Sequence, residues 1–292
     1  MGVRSAMVVG GDGLIGSALA AQLRGAGWNV VSTSRRKAVP TGCLHFDLAH
    51  GVGSLPKLPV QPQQVVFVCA AVTGFATCAN DPEGSRDINV TRTVELGGYF
   101  MQQGAFVVYL SSNAVFDGTQ ILVNETAPRS PTSEYGRQKA ESEAGLLAAA
   151  AELSGACAVV RLTKVVGWAQ PLYRAWVQNF ESHEPARAAA DLVMCPVTIG
   201  YVVNGLQCIG AGMQGGVYHL SGECDLTYFE LAQAMANVWG RGSTVEQDWV
   251  RQRLGAVPSP AHSALSMAGT TAFWGLKPQP LEMVARELTG QK

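Results

Sequence analysis

A short apolar run, Ala6–Val9, breaks at Gly10 and leads, through VVGGDGLIG, into Ile15–Leu23, whose apolar residues recur at helical spacing. Three glycines, Gly10, Gly13 and Gly16, stand three apart in this segment. Gly10 permits a tight turn, Gly13 lets the backbone approach a diphosphate, and Gly16 allows close helix packing. The helix that follows offers unpaired N–H groups and a positive dipole end to phosphate oxygens. A glycine trio is weak alone, but its place between a first strand and a first helix is the context that marks a dinucleotide-binding turn. Gly10, Gly13, Leu14, Ile15 and Gly16 are therefore the candidate phosphate-binding residues.

The strand and helix signals continue to alternate: strands at Asn29–Ser32, Val65–Ala70, Phe106–Leu110 and Cys157–Leu162, helices at Asp87–Phe100 and Glu134–Leu153. The continuous β-branched run at Val65–Ala70 is of the kind buried on both faces of a parallel sheet. Such alternation implies right-handed βαβ units and an α/β fold, a Rossmann-type doubly wound parallel sheet. The 47% hydrophobic content and 33 glycines suit such a protein. From about residue 167 the pattern loosens into helices (Tyr173–Phe180, Tyr228–Trp239) and short strands (Cys195–Ile199, Val217–Leu220) between Gly- and Pro-rich loops. The expected organisation is a dinucleotide-binding domain over 1–166, to which about 190–215 returns, and a smaller, interwoven C-terminal substrate domain over 167–292.

Whole function classes are disfavoured. A net charge of −1 gives no electrostatic case for nucleic acid. The 7 cysteines form no CxxC pair and their number is odd, so neither a metal site nor a disulfide framework is expected. No apolar run is long enough to span a membrane, and the chain opens almost directly on a strand, so the cytoplasm is the expected location. The one basic run, Arg35-Arg36-Lys37, lies where NAD sites place an acid for the ribose 2′-hydroxyl. Arginine there, beside Ser34, suits a 2′-phosphate instead, which favours NADP (as NADPH) over NAD.

Strand Phe106–Leu110 ends in Ser111-Ser112-Asn113, and Tyr135-Gly-Arg-Gln-Lys139 follows. Four residues apart on a helix, Tyr135 and Lys139 share a face. A neighbouring ammonium and a positively charged nicotinamide are expected to favour tyrosinate and bring Tyr135 towards acid/base use near neutrality. A strand-end hydroxyl would hold the substrate oxygen. His183 and His219 are isolated and are given no role.

With these pieces in order, the chain resembles the extended short-chain dehydrogenase/reductase family along nearly its whole length. The matching segments are GGDGLIG, Asp47-Leu48, Cys69-Ala70-Ala71, Asn89-Val90, SSNAVFDG and YGRQK. The resemblance implies that Asp47 and Leu48 contact adenine, that Ala70 and Ala71 line the cofactor, and that Ser112, Tyr135 and Lys139 do the chemistry, with Ser111 the weaker candidate for the hydroxyl. Within the family the chain looks most like the dTDP-4-dehydrorhamnose reductases, through SSNAVFDGT, GVYHLSGECDLTYFELAQAMA and HSALSM. The implied reaction is NADPH-dependent reduction of a nucleotide-linked 4-keto sugar, with Thr73, Asn113, Ala114 and Lys164 facing the substrate. The departures fall on the substrate side: Asn113-Ala114 replaces Asp-Tyr, Lys164 replaces Trp, and Ser259-Pro260 replaces Arg-Pro. Two alternatives remain, a nucleotide-sugar 4-epimerase and a catalytically silent NADP-binding regulatory protein. The expected partner is the small-molecule substrate, a nucleotide sugar, with a homodimer as the one assembly considered.

Overall fold

A computed structural model describes residues 3–56, 63–153, 156–240, 242–254 and 259–291. Its largest sheet has seven strands: β1 (Ser5–Val9), β2 (Asn29–Ser34), β3 (Cys43–His45), β4 (Val65–Val68), β5 (Phe106–Ser112), β6 (Ala156–Leu162) and β7 (Gly216–Leu220). Their spatial order is β7-β6-β5-β4-β1-β2-β3. β1 pairs in parallel with both β2 and β4, β2 with β3, and β4 with β5. The chain travels outward from β1 to β3 and then returns to β4 on the other side of β1. The carboxyl ends of β1 and β4 thus flank the reversal of strand order, where open α/β sheets bind their ligands.

Register decides where the strands stop. The run read as a strand over Val65–Ala70 ends at Val68, which pairs with Val9, the last residue of β1. Cys69 makes one more backbone bond to the Val9 carbonyl at 2.9 Å. Beyond it the chain at Gly10 turns away with φ of 82° and lies against Ala70, so the ladder has no further partner. β2 goes the other way, two residues past the expected Ser32, because Thr33 and Ser34 pair with Leu44 and His45 of β3.

Three helices carry the rest of the nucleotide-binding architecture: α1 (Leu14–Gly25), α2 (Thr93–Gln102) and α3 (Glu134–Glu152). α1 buries Gly16, Leu19, Ala20 and Leu23, one apolar stripe at helical spacing. The helix expected over Asp87–Phe100 is not uniform: Asp87–Arg92 is a π-helical turn and α2 follows it. A π turn inserts one residue and re-aims a side chain. Here it carries Asn89, whose Nδ2 donates to the Val72 carbonyl at 2.9 Å and to Gln138 Oε1 at 2.7 Å, while its Oδ1 accepts from Val72 N at 2.8 Å.

The chain forms two compact units. The first comprises Met1–Phe116, Pro128–Arg161 and Val203–Tyr218; its core joins Met7, Val9, Val66 and Val68 to Leu96, Phe100 and Leu146. The second comprises Asp117–Ala127, Leu162–Val202 and His219–Lys292. Its core packs Tyr173, Trp176 and Phe180 of α4 (Pro171–Glu181) with Leu231 and Met235 of α6 (Tyr228–Trp239) and Val284 and Leu288 of α7 (Leu281–Thr289). The strand read at Cys195–Ile199 spans Pro196–Thr198 and pairs in parallel with Lys164–Val166, and Ile199 instead opens α5 (Ile199–Gly212). Among the described residues no helix is long and apolar enough to cross a membrane. None of the cysteines is in a disulfide.

Candidate active site

The glycine turn has the shape a diphosphate needs. A Cβ on Gly16 would collide with the carbonyl oxygen of Gly10, so α1 starts hard against the turn only because Gly16 has none. Gly13 caps α1 without a side-chain hydrogen bond, and no acid stands in the first turn. The leading amides, those of Leu14 and Ile15 included, are thus uncontested by side chains or negative charge. Leu14 is exposed and Ile15 half-buried. Ala70 and Ala71, half-buried, leave β4 against this turn, and Thr73 is exposed just beyond. Asp47 caps a short helical turn, its Oδ1 accepting from Ala49 N at 3.1 Å, and Leu48 is buried beneath it.

At the end of β2 the sequence shows no acid, yet the fold puts one there. Asp12, from the glycine turn, accepts from the Ser34 hydroxyl at 2.8 Å and pairs with Arg36 Nε at 2.9 Å through the same Oδ2. The Arg36 amide in turn donates to Ser34 Oγ at 3.1 Å. Arg35 is exposed. Arginine and carboxylate thus share the end of β2. Nothing in the sequence signalled this, because Asp12 and Ser34 meet only through the β1–β2 pairing.

The reacting groups gather at the carboxyl end of β5. Ser112 caps the turn Asn113–Val115 by accepting from Ala114 N at 3.1 Å, and its hydroxyl contacts the Tyr135 phenol. Ser111, the next residue back, points the other way into the interior and donates to Glu143 Oε1 at 2.5 Å. Alternation along the strand therefore separates the two serines, with Ser112 facing Tyr135. α3 begins beside this turn: Ser133 caps it at Gly136 N, and a Cβ on Gly136 would strike the Ala114 carbonyl. The close approach delivers Tyr135 to Ser112.

Lys139 lies one turn along α3, buried, with Nζ donating to the Leu110 carbonyl at 2.8 Å. Its ammonium sits 4.6 Å from the centre of the Tyr109 ring and 5.9 Å from that of Tyr135. Burial pushes its pKa down to about 8, against the opposing charge of Glu143. The expected drive towards tyrosinate is not what the protein alone provides. Burial raises the Tyr135 phenol to about 12, and the Ser112 bond opposes that only in part. The cause is desolvation of the anion in a pocket that also holds Phe75, whose exposed ring packs at 5.2 Å on that of Tyr135.

One turn beyond Lys139 stands Glu143, fully buried. Arg161 of β6 grips it with two bonds, Nε to Oε1 at 3.0 Å and Nη2 to Oε2 at 2.8 Å, and Arg129 approaches Oε2 at 3.5 Å. The residues that motif reading passed over are thus Asp12, Tyr109 and Glu143, while Asn89, from the matching Asn89-Val90 segment, is a structural tie. Only Glu143 carried a readable sign: a carboxylate four residues after Lys139, on the same helix face as Tyr135 and Lys139. Asn113 and Ala114 are half-buried beside Ser112. Lys164 belongs to the second unit, where it is exposed and its backbone N donates to the Cys195 carbonyl at 2.9 Å.

Comparison with known proteins places this geometry. The profile of the family described as RmlD substrate binding domain matches residues 4–289. The chain is 28% identical over 268 residues to the Methionine adenosyltransferase 2 subunit beta of Xenopus laevis, covering 88% of this chain and 78% of that one. The fold is shared with the dTDP-4-dehydrorhamnose reductase of Bacillus anthracis str. Ames in complex with NADP, at TM-score 0.80 and 17% identity over 98% of this chain and 99% of that one. It is shared also with MoeE5 in complex with UDP-glucose and NAD, at TM-score 0.78 and 23% identity over 98% and 97%.

Proposed function

The chain belongs to the RmlD substrate binding domain family, and from that premise we propose that it is an NADPH-dependent reductase of a nucleotide-linked 4-keto sugar. One observation carries the reading: the Ser112 hydroxyl, the Tyr135 phenol and the Lys139 ammonium stand together beside a glycine turn that fits a dinucleotide diphosphate. The NADP-bound reductase of the same fold and the NAD-bound protein with UDP-glucose support the cofactor and substrate classes. The arginines at the end of β2 favour the 2′-phosphate of NADP.

The bound dinucleotide supplies the hydride that reaches the keto carbon. Every other part of the reaction falls to the chain. Ser112 accepts from Ala114 N and donates to Asn113 Oδ1 at 3.3 Å, a long bond that the keto oxygen would displace. As charge builds on that oxygen, Tyr135 hands over its phenolic proton. A phenol held up at about 12 is protonated at neutral pH, the state a reduction needs at its start. Lys139, charged below about 8, balances the phenolate left behind and holds the ribose. Thr73, Asn113, Ala114 and Lys164 complete the proposal as substrate contacts, Lys164 reaching an anionic group.

A second reading, a dinucleotide-binding subunit without turnover, is favoured by the relative that is itself named a subunit. Consumption of NADPH with a panel of nucleotide 4-keto sugars separates the two. Turnover abolished by Tyr135→Phe supports the reductase; tight NADPH binding with no turnover on any of them leaves the silent subunit.

A further inference from the structure

The glycine turn and the end of β2 are stitched together before any nucleotide arrives. Gly11 N donates to the Thr33 carbonyl at 2.8 Å and Gly10 N to Thr33 Oγ1 at 3.2 Å. A Cβ on Gly11 would collide with the Ser32 side chain, so the turn lies flat against β2. That contact fixes Asp12, whose side chain is 16% exposed against 65% for Arg36. Ser34, the third member, is buried. A carboxylate oxygen shared between a buried hydroxyl and a guanidinium is a built arrangement rather than a loose surface pair. It occupies the place where the ribose 2′ substituent of a dinucleotide sits in this type of fold, beyond the second strand.

Two ligands meet this arrangement differently. A ribose 2′-hydroxyl has a proton to donate and finds Asp12 ready to accept it, the task that NAD sites give to an acid on the second strand itself. A 2′-phosphate is an anion, repelled by Asp12, and must draw Arg36 away from it to form charge-assisted bonds. Arginine and aspartate therefore pull in opposite directions. We propose that Asp12 is the specificity-determining residue of this site, a carboxylate that engages Arg36 and holds the preference for NADP well below what the two arginines alone would give. This inference rests on the reading of the turn as a dinucleotide site.

The test is equilibrium binding of NADPH and NADH, followed by cofactor fluorescence, to the wild-type chain, Asp12→Asn and Asp12→Asn with Arg36→Gln. Asparagine keeps the size and still accepts from Ser34, while the charge is gone. Asp12→Asn is expected to raise the NADPH-over-NADH affinity ratio by roughly tenfold or more, through tighter NADPH and slightly weaker NADH. With Arg36→Gln added, most of that gain should vanish, because the freed guanidinium is what delivers it. Should Asp12→Asn fail to fold, Asp12→Ser takes its place, since it also removes the charge and keeps a polar group towards Ser34. An unchanged ratio in a folded variant that lacks the Asp12 charge overturns the assignment while leaving the dinucleotide reading standing. A wild type that binds neither dinucleotide overturns both.

Discussion

The two units bury polar side chains for different ends. In the first, buried groups converge on one charge: Lys139 is held by the Leu110 carbonyl and the Tyr109 ring, and Glu143 stands one turn away in the double grip of Arg161. In the second, half-buried and buried groups hold backbone. Asp225 accepts from Ser263 N and Ala264 N at 2.6 Å each and from His262, and Glu125 takes Thr270 through both its amide and its hydroxyl. Gln279 closes on Thr198 in the same manner, at amide and hydroxyl. One unit therefore fixes charged side chains, and the other fixes loops. Damage to the first should appear in turnover or in global stability, and damage to the second in local loosening and weaker substrate binding.

The sharpest break in that comparison is Tyr135→Phe. The ring and its packing on Phe75 survive while the proton is lost, so turnover should fall by ~10²–10⁴-fold with melting temperature and NADPH binding preserved. Retained turnover in a folded variant would mean that the first unit's cluster is architecture and nothing more.

Next in size is Glu143→Ala. It removes the carboxylate that Arg161, 3% exposed, grips with two bonds, and such a loss from a buried pair costs about 3–5 kcal/mol. Chemical denaturation should show it, whereas the exposed pair Arg187–Glu246 of the second unit, removed by Glu246→Ala, should cost at most ~1 kcal/mol. Equal costs would erase the contrast between the two kinds of ion pair.

Asp225→Ala leaves two backbone N–H groups without their acceptor, at about 1–3 kcal/mol. Its distinguishing effect is local: proteolysis within 259–267 should quicken and KM for the sugar substrate rise, with NADPH affinity unchanged. A variant that instead loses NADPH would tie this loop to the cofactor.

Lys139 gives a pH signature with opposite signs. Its pKa is about 8 in the folded protein against the ordinary 10.5 of a lysine, so between those values the unfolded chain binds more protons. Its contribution to stability therefore rises with pH through that window, while the charge needed for the ribose and the phenolate disappears. NADPH affinity and turnover should decline above pH 8, towards tenfold per unit, as conformational stability holds or improves. Both falling together would point to another group.

The smallest effect belongs to Lys164→Ala, an exposed residue. KM for the substrate should rise about threefold to tenfold, with kcat and NADPH affinity near wild type, as measured by steady-state kinetics.

How far the sequence determined all this follows the length of chain each feature spans. Gly10, Gly13 and Gly16 act within one turn, and Tyr135 and Lys139 within one helical turn, so their geometry is dictated by local backbone periods. The parallel sheet follows as well, from the alternation of β-branched runs with helical ones. What the sequence could not show is what lies beside what across the sheet. Val65–Ala70 reads as one strand, yet its end is set by Val9, the last residue of a strand far back in the chain. Asp12 reads as a turn residue, and only the β1–β2 register carries it to Ser34 and Arg36. Glu143 falls on the helix face of Tyr135 and Lys139, but only Ser111 and Arg161 from two other strands enclose it. A charge is settled by its neighbours at a few ångströms, and those neighbours are supplied by the tertiary structure.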